Sequence, residues 1–236
     1  MSNCINSIFH SPAYLRITQR RLEHLEALGL DLYGKSVLDV GAGIGDFTSF
    51  YLDRGCNVVA VEPREENLRD LDENIRSSGI DAGGRLEAKL GDVWALDELS
   101  RTFDIVHAYG VLYHLADPLR ALRALTKCCS GILLLETCVT NEGGDRENVV
   151  PEPIENLSQA IDGLGCRPDR TWIYEELRQM FAHVYLPGTQ PRHEQFPLDW
   201  SLPYSSDTLQ RSIYVASHHR LDLPTLRDNL IQVHDR

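Results

Sequence analysis

Apolar residues occur along the first two thirds of the chain in short runs that alternate with segments of helical spacing. The runs at residues 37–40, 58–61, 86–90, 103–109 and 132–137 predict five strands, and the first of them suits burial on both faces of a parallel sheet. Alternation of strand and helix along these five runs predicts a doubly wound α/β fold. A sheet of this kind binds its ligand at the carboxyl ends of its strands.

The N-terminal segment has the spacing of an amphipathic helix. Between residues 12 and 30, leucines and one threonine recur at helical spacing, while Arg16 and Arg21 fall on other faces. We predict a helix that packs on one side of the sheet and ends at Gly29 or Gly34. The predicted apolar stripe comprises Leu15, Thr18, Leu22, Leu25 and Leu28.

Beyond residue 138 the pattern changes. Two segments, residues 140–170 and 187–210, are longer than ordinary connections. The first is rich in turn-forming residues, and the second is rich in Pro and aromatic residues. Because loops at the ligand end of a rigid sheet commonly carry specificity, we predict that these insertions form a substrate cap. We further predict a short helix at 155–161, a helix at 172–181 capped by Thr171, strands at 183–186 and 213–217, and a tail at 221–236 that is a surface helix or a frayed end.

Composition supports a single domain and restricts the partners. The 236 residues suit one α/β domain, at 34–220, with an N-terminal helical segment at 1–33 and the tail at 221–236. The net charge of −12 disfavours nucleic acid and anionic membranes, and no run of apolar residues is long enough to span a membrane. The six cysteines show no metal-binding spacing, which favours free thiols in a reducing compartment, and we expect a cytoplasmic protein.

The stretch VLDVGAGIGDF at residues 37–47 has the pattern of a nucleotide-type cofactor site. Gly41, Gly43 and Gly45 follow the first strand and permit a tight turn close to a ligand, and a helix begins at about Asp46 with its free N–H groups at the same place. Glu62 ends the second strand, where a carboxylate can accept hydrogen bonds from ribose hydroxyls.

The glycine spacing separates two classes of cofactor. A dinucleotide fingerprint requires G-x-G-x-x-G, whereas this chain has G-x-G-x-G with Asp46 in the next position. Asp39 adds a negative charge that would repel a diphosphate but tolerate a ligand with an ammonium and a sulfonium group. A nicotinamide-dependent oxidoreductase, which would also need a hydride-transfer set such as Tyr-x-x-x-Lys, is the weaker alternative.

Taken with GDVW at 91–94 and FDIVHAYGVLYHLADP at 103–118, this stretch resembles the class I S-adenosylmethionine-dependent methyltransferases over residues 34–139. The resemblance implies a Rossmann-like, seven-stranded, mostly parallel sheet with a C-terminal antiparallel hairpin, and S-adenosylmethionine as cofactor. It places an acidic residue, Asp92, at the adenine amino group and Val93 against the ring. The cofactor-binding residues that it implies are Asp39, Gly41, Ala42, Gly43, Gly45, Glu62, Pro63, Asp92, Val93, Tyr109 and Gly110.

Methyl transfer needs an acceptor held in line with the sulfonium, and a base helps only where the acceptor is a hydroxyl group. His193 in the aromatic insertion and His114 in YHLADP are the candidate catalytic residues, although a surface position for His193 and a turn-ordering role for His114 compete with catalysis. By analogy with N-terminal helices in the resembled family, residues 10–16 would close over the cofactor. The candidate substrate-binding residues are Tyr14, Arg16, Arg167, Arg170 and Trp200.

We therefore predict methyl transfer to a small-molecule, sugar-like or peptide-derived natural-product acceptor, at oxygen in preference to other atoms. One alternative is an enzyme that alkylates wobble uridine of tRNA, because GVLYH at 110–114 resembles a motif of those enzymes. A non-catalytic cofactor-binding regulator is a further alternative, and it would lack a pocket beside the methyl group. The sequence predicts no metal site and indicates no oligomeric state.

Overall fold

The protein is built on one large sheet with helices on both faces, as shown by a computed structural model that describes residues 8–141, 147–152, 163–203 and 208–235. The predicted helix at 155–161 lies outside these residues. The helices are α1 (Pro12–Ala27), α2 (Asp46–Asp53), α3 (Glu65–Ser77), α4 (Pro118–Lys127) and α5 (Arg170–Met180). The strands are β1 (Ser36–Val40), β2 (Asn57–Glu62), β3 (Leu86–Leu90), β4 (Phe103–Tyr109), β5 (Cys129–Val139), β6 (Val149–Pro151), β7 (Leu164–Cys166), β8 (His183–Pro187), β9 (Gln210–Ser217) and β10 (Leu226–Arg227).

The large sheet has eight strands in the order β10-β8-β9-β5-β4-β1-β2-β3. Its five predicted strands, β1 to β5, pair in parallel, and β9 runs antiparallel to both β5 and β8. The doubly wound fold and the C-terminal antiparallel hairpin are therefore confirmed. The two-residue β10 adds an eighth strand to the seven that were predicted, and β6 and β7 form a separate hairpin.

The sheet is buried on both faces, because each face carries its own apolar cluster. On one face α4 and α5 pack through residues such as Leu122 and Ile173, and on the other α1, α2 and α3 pack through residues such as Leu25, Tyr51 and Leu71. Burial of this kind is the main stabilising contribution in a doubly wound domain. Among the described residues, no helix is long and apolar enough to cross a membrane.

The buried face of α1 differs from the predicted stripe. Ser11 caps the helix and Pro12 begins it. Thr18, Leu25 and Leu28 of the stripe are buried as predicted, but Leu15 is 48% exposed, and Arg21 and His24 are buried as well. Arg21, which was predicted to lie on a face other than the buried stripe, is itself buried. The spacing of the leucines cannot reveal this face. The helix α1 packs against the ligand end of the sheet and buries the Arg21 side chain, which pairs with a carboxylate there.

The tail is neither the surface helix nor the frayed end that was predicted. It forms β10 beside β8, and the Thr225 hydroxyl donates to the carbonyl oxygen of Leu28. His234 is buried, and its Nε2 accepts a 3.1 Å hydrogen bond from the indole N–H of Trp200. The tail covers the outer edge of β8, which would otherwise expose unpaired backbone groups.

Two local predictions are settled by the structure. The cap of α5 is Asp169, whose carboxylate accepts the backbone N–H groups of Thr171 and Trp172, so Thr171 lies inside the helix instead of capping it.

The five cysteines in the described part of the chain are free and buried, as predicted, and they include Cys56 and Cys166. Cys4 lies outside the described residues.

Candidate active site

A cavity of about 340 Å³ lies at the carboxyl ends of β1, β2 and β4. This volume falls at the lower end of the range of small-molecule sites. The walls come from the glycine loop after β1, the turn after β2, the segment after β3, the turn after β4, the first half of α1 and the start of β9. The cavity therefore lies where the alternation of strands and helices predicted a ligand site.

The loop after β1 requires glycine at two cavity positions. Gly41 and Gly43 have φ angles of +68° and +56°, which L-residues rarely adopt. A Cβ atom at Gly41 would also lie 2.5 Å from Cγ2 of Val111. Gly45, by contrast, is the N-cap of α2 and lies against Leu71 outside the cavity wall, so the structure gives it a packing role instead of the predicted contact with a ligand.

Glu62 lies on the cavity wall and is held by three donors. Its carboxylate accepts the backbone N–H of Gly43 at 2.9 Å, the backbone N–H of Arg64 at 3.1 Å and the side-chain amide of Asn67 at 2.9 Å. Burial raises the pKa of Glu62, and these hydrogen bonds counteract part of that rise. The carboxylate is thus fixed in one orientation at the end of β2.

Another part of the wall follows β3. Asp92 caps the 3₁₀ segment Val93–Leu99, and its Oδ1 accepts the backbone N–H of Trp94 at 2.8 Å. Val93 is buried, and the guanidinium of Arg120 covers the ring of Trp94 at 4.4 Å. Asp92, Val93 and Pro63 all line the cavity, which provides an apolar surface beside a carboxylate.

Asp39 does not line the cavity, and the prediction that it meets the ligand is not supported. The side chain is only 2% exposed, and its Oδ2 accepts a 2.6 Å hydrogen bond from the Thr48 hydroxyl on α2. Burial raises the pKa of Asp39 to about 7, with smaller contributions from Glu62 and Asp46. The aspartate therefore joins β1 to α2 behind the glycine loop.

The end of β4 places aromatic groups at the cavity. Tyr109 and Gly110 line it, and in the described part of the chain the buried hydroxyl of Tyr109 has no hydrogen-bond partner. His107, two residues earlier on β4, shares a 2.9 Å hydrogen bond with the Tyr51 hydroxyl through Nδ1. Burial lowers the pKa of His107 to about 3, so this histidine is a neutral core residue.

His114 is the one predicted catalytic residue that the cavity wall contains. Its Nδ1 lies 2.6 Å from Oε2 of Glu152, and Glu152 in turn accepts a 2.9 Å hydrogen bond from Arg167. Burial lowers the pKa of His114, while Glu152 partly restores it. Because the carboxylate fixes Nδ1–H as a donor, Nε2 is the nitrogen left to accept a proton.

Two arginines that sequence analysis did not select also line the cavity. Arg21 from α1 and Arg211 from β9 each donate to the buried Glu136 of β5, at 2.9 and 3.0 Å. Burial raises the pKa of Glu136, but the two guanidinium groups lower it below its ordinary value, so the carboxylate is ionised. Arg211 also donates to the Tyr113 hydroxyl at 3.3 Å.

The predicted substrate residues divide into two groups. Tyr14 lines the cavity and donates a 3.3 Å hydrogen bond to Asp46, and Arg167 lies behind the wall, where it stacks on Tyr113 and binds Glu152. Arg16 points away and forms an exposed ion pair with Glu194. The structure therefore gives α1 a cavity contact through Tyr14 and Arg21, not through Arg16.

Arg170 and Trp200 are core residues and lie outside the cavity wall. Arg170 is fully buried, its guanidinium lies 4.4 Å from the Trp200 ring, and its Nη2 donates to the carbonyl oxygen of Ile231. Their position does not support the predicted contact with substrate, because the tail packs over both side chains. Arg170 stabilises this packing by donating to a backbone carbonyl oxygen of the tail.

His193 also lies elsewhere. It lines a second cavity, together with His24 and Phe196, and its Nδ1 accepts the backbone N–H of Gln195 at 3.3 Å. The prediction of a catalytic His193 is therefore not supported by its position. In the described part of the chain, no group of His, Cys, Asp and Glu side chains is arranged to hold a metal ion.

Comparisons with known proteins agree with this geometry. A family model described as a methyltransferase domain matches residues 7–197. The N-terminal domain of EvdMO1, crystallised with SAH bound, superposes with a TM-score of 0.66 at 20% identity and covers 88% of this chain and 84% of that one. At this identity the superposition establishes the fold.

Two curated relatives each match about half of this chain. A ubiquinone biosynthesis O-methyltransferase of Idiomarina loihiensis is 29% identical over 119 residues, which cover 50% of this chain and 46% of the relative. A tRNA U34 carboxymethyltransferase of Pseudomonas putida is 36% identical over 129 residues, which cover 52% and 38%. The chain thus spans less than half the length of the curated relatives that it matches.

Proposed function

Because this chain belongs to the class I S-adenosylmethionine-dependent methyltransferase family, we propose that it transfers a methyl group from S-adenosylmethionine to a hydroxyl oxygen of a small-molecule acceptor. The acceptor class includes sugar-like and peptide-derived natural products. The observation that carries the proposal is that His114, with its orienting Glu152, shares one cavity with the glycine loop, Glu62 and Asp92.

The residues of the cavity fit the cofactor. The glycine loop leaves room where a Cβ atom would intrude, and Glu62 presents a fixed carboxylate to ribose hydroxyls. Asp92 and Val93 offer an acceptor oxygen and an apolar surface to an adenine ring. Gly41, Ala42, Gly43, Pro63, Tyr109 and Gly110 complete the proposed cofactor contacts, whereas Asp39 and Gly45 support the loop from behind.

When bound, S-adenosylmethionine supplies a methyl group whose bond to a cationic sulfur breaks, with the electron pair left on sulfur, as the bond to the acceptor oxygen forms. The chain contributes positioning and one proton transfer. His114 takes the hydroxyl proton on Nε2, while Nδ1–H donates to Glu152 and holds the ring in place. Arg167 donates to the other oxygen of Glu152 at 2.9 Å and so holds the carboxylate against His114.

We assign closure of the cavity to the N-terminal segment that leads into α1. Phe9 and Tyr14 line the cavity, with their rings in edge-to-face contact at 5.0 Å, and the Tyr14 hydroxyl reaches Asp46 at the start of α2. This contact ties the N-terminal segment to the helix that begins at the cofactor loop. Excluding water here would favour transfer to the acceptor over loss of the methyl group to solvent.

A tRNA acceptor is the second candidate function. The relative named tRNA U34 carboxymethyltransferase and the GVLYH stretch at 110–114 support a tRNA acceptor. The net charge of −12 disfavours it, since each phosphate contact normally needs a Lys or Arg. The relative named ubiquinone biosynthesis O-methyltransferase supports transfer to oxygen on a small molecule.

The experiment that tests the proposal has two stages. Calorimetry with S-adenosylmethionine, S-adenosylhomocysteine and NAD should show micromolar binding of the two adenosyl ligands alone. Release of S-adenosylhomocysteine is then measured with phenols, sugars, amines and unmodified tRNA as acceptors. Turnover with a hydroxyl compound supports the proposal, turnover with tRNA alone supports the second function, and adenosyl binding without any turnover would indicate a regulator.

A further inference from the structure

The cavity wall contains a cationic cluster that the proposed cofactor contacts do not use. Arg21, Glu136 and Arg211 come from α1, β5 and β9, which are far apart in the sequence, and all three are more than nine-tenths buried. Each oxygen of Glu136 accepts a hydrogen bond from one of the two arginines. We call these three residues the arginine cluster.

The arginine cluster has an uncompensated positive charge. Two guanidinium groups face one carboxylate, which leaves a formal charge of about +1 in a site shielded from water. The neighbouring pair of Arg167 and Glu152 is balanced and adds no net negative charge. A buried charge is costly without a partner, so this arrangement favours an anion from outside the chain.

The cluster also has donor groups to offer. Within the described part of the chain, Arg21 donates only from Nη2, and its buried Nε has no partner. Its Nη1 lies beside Gly110, where an added Cβ atom would be 3.9 Å away, and Gly110 lines the cavity. Guanidinium groups with N–H groups in reserve bind carboxylates well, because the two planar groups match in geometry.

The position of Tyr113 relates this cluster to the proposed base. The guanidinium carbon of Arg211 lies 4.8 Å from the centre of the Tyr113 ring, and that ring lies 3.9 Å from the ring of His114. Arg211 and His114 therefore both contact Tyr113, and all three residues line the same cavity. A molecule with an anionic group and a hydroxyl group a few bonds apart would match this spacing.

We infer that the arginine cluster, with Tyr113, binds a carboxylate of the acceptor, so that the acceptors are hydroxy acids whose hydroxyl group lies near His114. The inference rests on the proposed function and narrows its substrate class. The carboxylate is held and is not itself methylated. The methionine carboxylate of the cofactor is the other source of an anion at this place, and the experiment separates the two.

The test compares acids with matched neutral compounds on protein saturated with S-adenosylhomocysteine. The pairs are 3,4-dihydroxybenzoate with 3,4-dihydroxybenzamide, and D-glucuronate with D-glucose, and binding is measured by calorimetry. At least one acid should bind ten times or more tightly than its neutral partner. Equal or weaker binding of both acids would overturn the inference.

Variants then locate the anion. Arg211→Gln should remove the preference for acids without changing the affinity for S-adenosylhomocysteine, and Arg220→Gln, an exposed arginine paired with Asp222, should change neither. Because loss of Arg211 leaves Glu136 with one partner, Arg211→Lys and Tyr113→Phe serve as milder variants that should each reduce the preference at least threefold. An equal loss of affinity for S-adenosylhomocysteine would assign the cluster to the cofactor and overturn the inference.

Failure of the inference can be told from failure of the proposed function. If S-adenosylhomocysteine binds and neutral hydroxyl compounds are methylated as readily as acids, the function holds and the hydroxy-acid class is wrong. If the wild-type protein binds no adenosyl ligand, the function itself fails. A last outcome concerns an adenosyl ligand that carries a carboxymethyl group. If it binds more tightly than S-adenosylmethionine, and loses this advantage in Arg211→Gln, the cluster binds a carboxylate of the methyl donor and not of the acceptor. That result would also overturn the inference.

Discussion

The carboxylate of Glu62 accepts the backbone N–H of Gly43 at 2.9 Å. This bond joins the end of β2 to the glycine loop that follows β1, while Arg64 and Asn67 hold the other carboxylate oxygen. Glu62 therefore has two roles in the proposed site. It would present oxygens to the ribose hydroxyls, and it holds the loop against which the rest of the cofactor would rest.

Replacement of Glu62 should weaken cofactor binding through both roles. We expect Glu62→Gln to lower the affinity for S-adenosylhomocysteine on the order of tenfold and Glu62→Ala to lower it further, since charged hydrogen bonds contribute about 1.5–3 kcal/mol each. Calorimetric titration measures the change. Glu87→Gln, at an exposed position on β3, should bind like the wild type, and an unchanged affinity in Glu62→Ala would contradict the site.

Gly41→Ala tests the shape of the loop. An alanine there must adopt a positive φ, at about 1–2 kcal/mol, and its Cβ would overlap Val111, which adds about 1–3 kcal/mol. Urea denaturation should therefore show a larger loss than in Gly79→Ala, where φ is +76° but the space is open. Equal losses in the two variants would show that the contact with Val111 is unimportant.

The parts of the fold that the sequence predicted are those set by short-range patterns. β1, the glycine loop and β2 are contiguous, so their hydrophobic runs and turn residues identify them without knowledge of the rest. The hairpin of β8 and β9 was likewise predicted, within a few residues at each end. Local backbone chemistry was sufficient in these cases.

The residues that sequence analysis missed depend on long-range contacts. Arg21 and Arg211 are 190 positions apart and meet only because α1 and β9 lie beside the same end of β5. An arginine in an amphipathic helix usually lies in solvent, so nothing local marked Arg21 as buried. Arg170 and Trp200 were misplaced for the same reason, because their partners come from the tail.

His114→Gln should lower turnover with little effect on the cofactor. Removal of a general base typically reduces the rate on the order of 10²-fold, and we expect kcat to fall by about that factor while the affinity for S-adenosylhomocysteine stays within twofold. His219→Gln, at an exposed histidine, is the matched control. A kcat within twofold of the wild type would leave His114 with an ordering role in its turn.

The pH profile separates these two roles of His114 further. Burial lowers the pKa of His114, so the acid limb of kcat/KM should have its midpoint below the ordinary histidine value of 6.5. Glu152 raises that pKa by accepting the Nδ1–H bond, so Glu152→Gln should move the limb to still lower pH. A limb that stays in place in Glu152→Gln would show that another group titrates.

Asp39 should make the protein less stable as the pH rises. Its pKa is about 7 in the folded chain, because of burial, and 3.8 ordinarily, so the folded state retains a proton that the unfolded chain loses. The stabilisation that this proton provides is complete below pH 3.8 and is lost as the pH rises to about 7. Asp39→Asn keeps an acceptor for the Thr48 hydroxyl but cannot ionise. As the pH rises from 4 to 7, the free energy of unfolding of the wild type should therefore fall relative to that of the variant, by up to about 4 kcal/mol. Urea denaturation at pH 4.5, 6 and 8 measures this difference, with Asp31→Asn as the exposed control. A constant difference across these pH values would mean that Asp39 is ionised throughout, and that the bond from Thr48 outweighs burial.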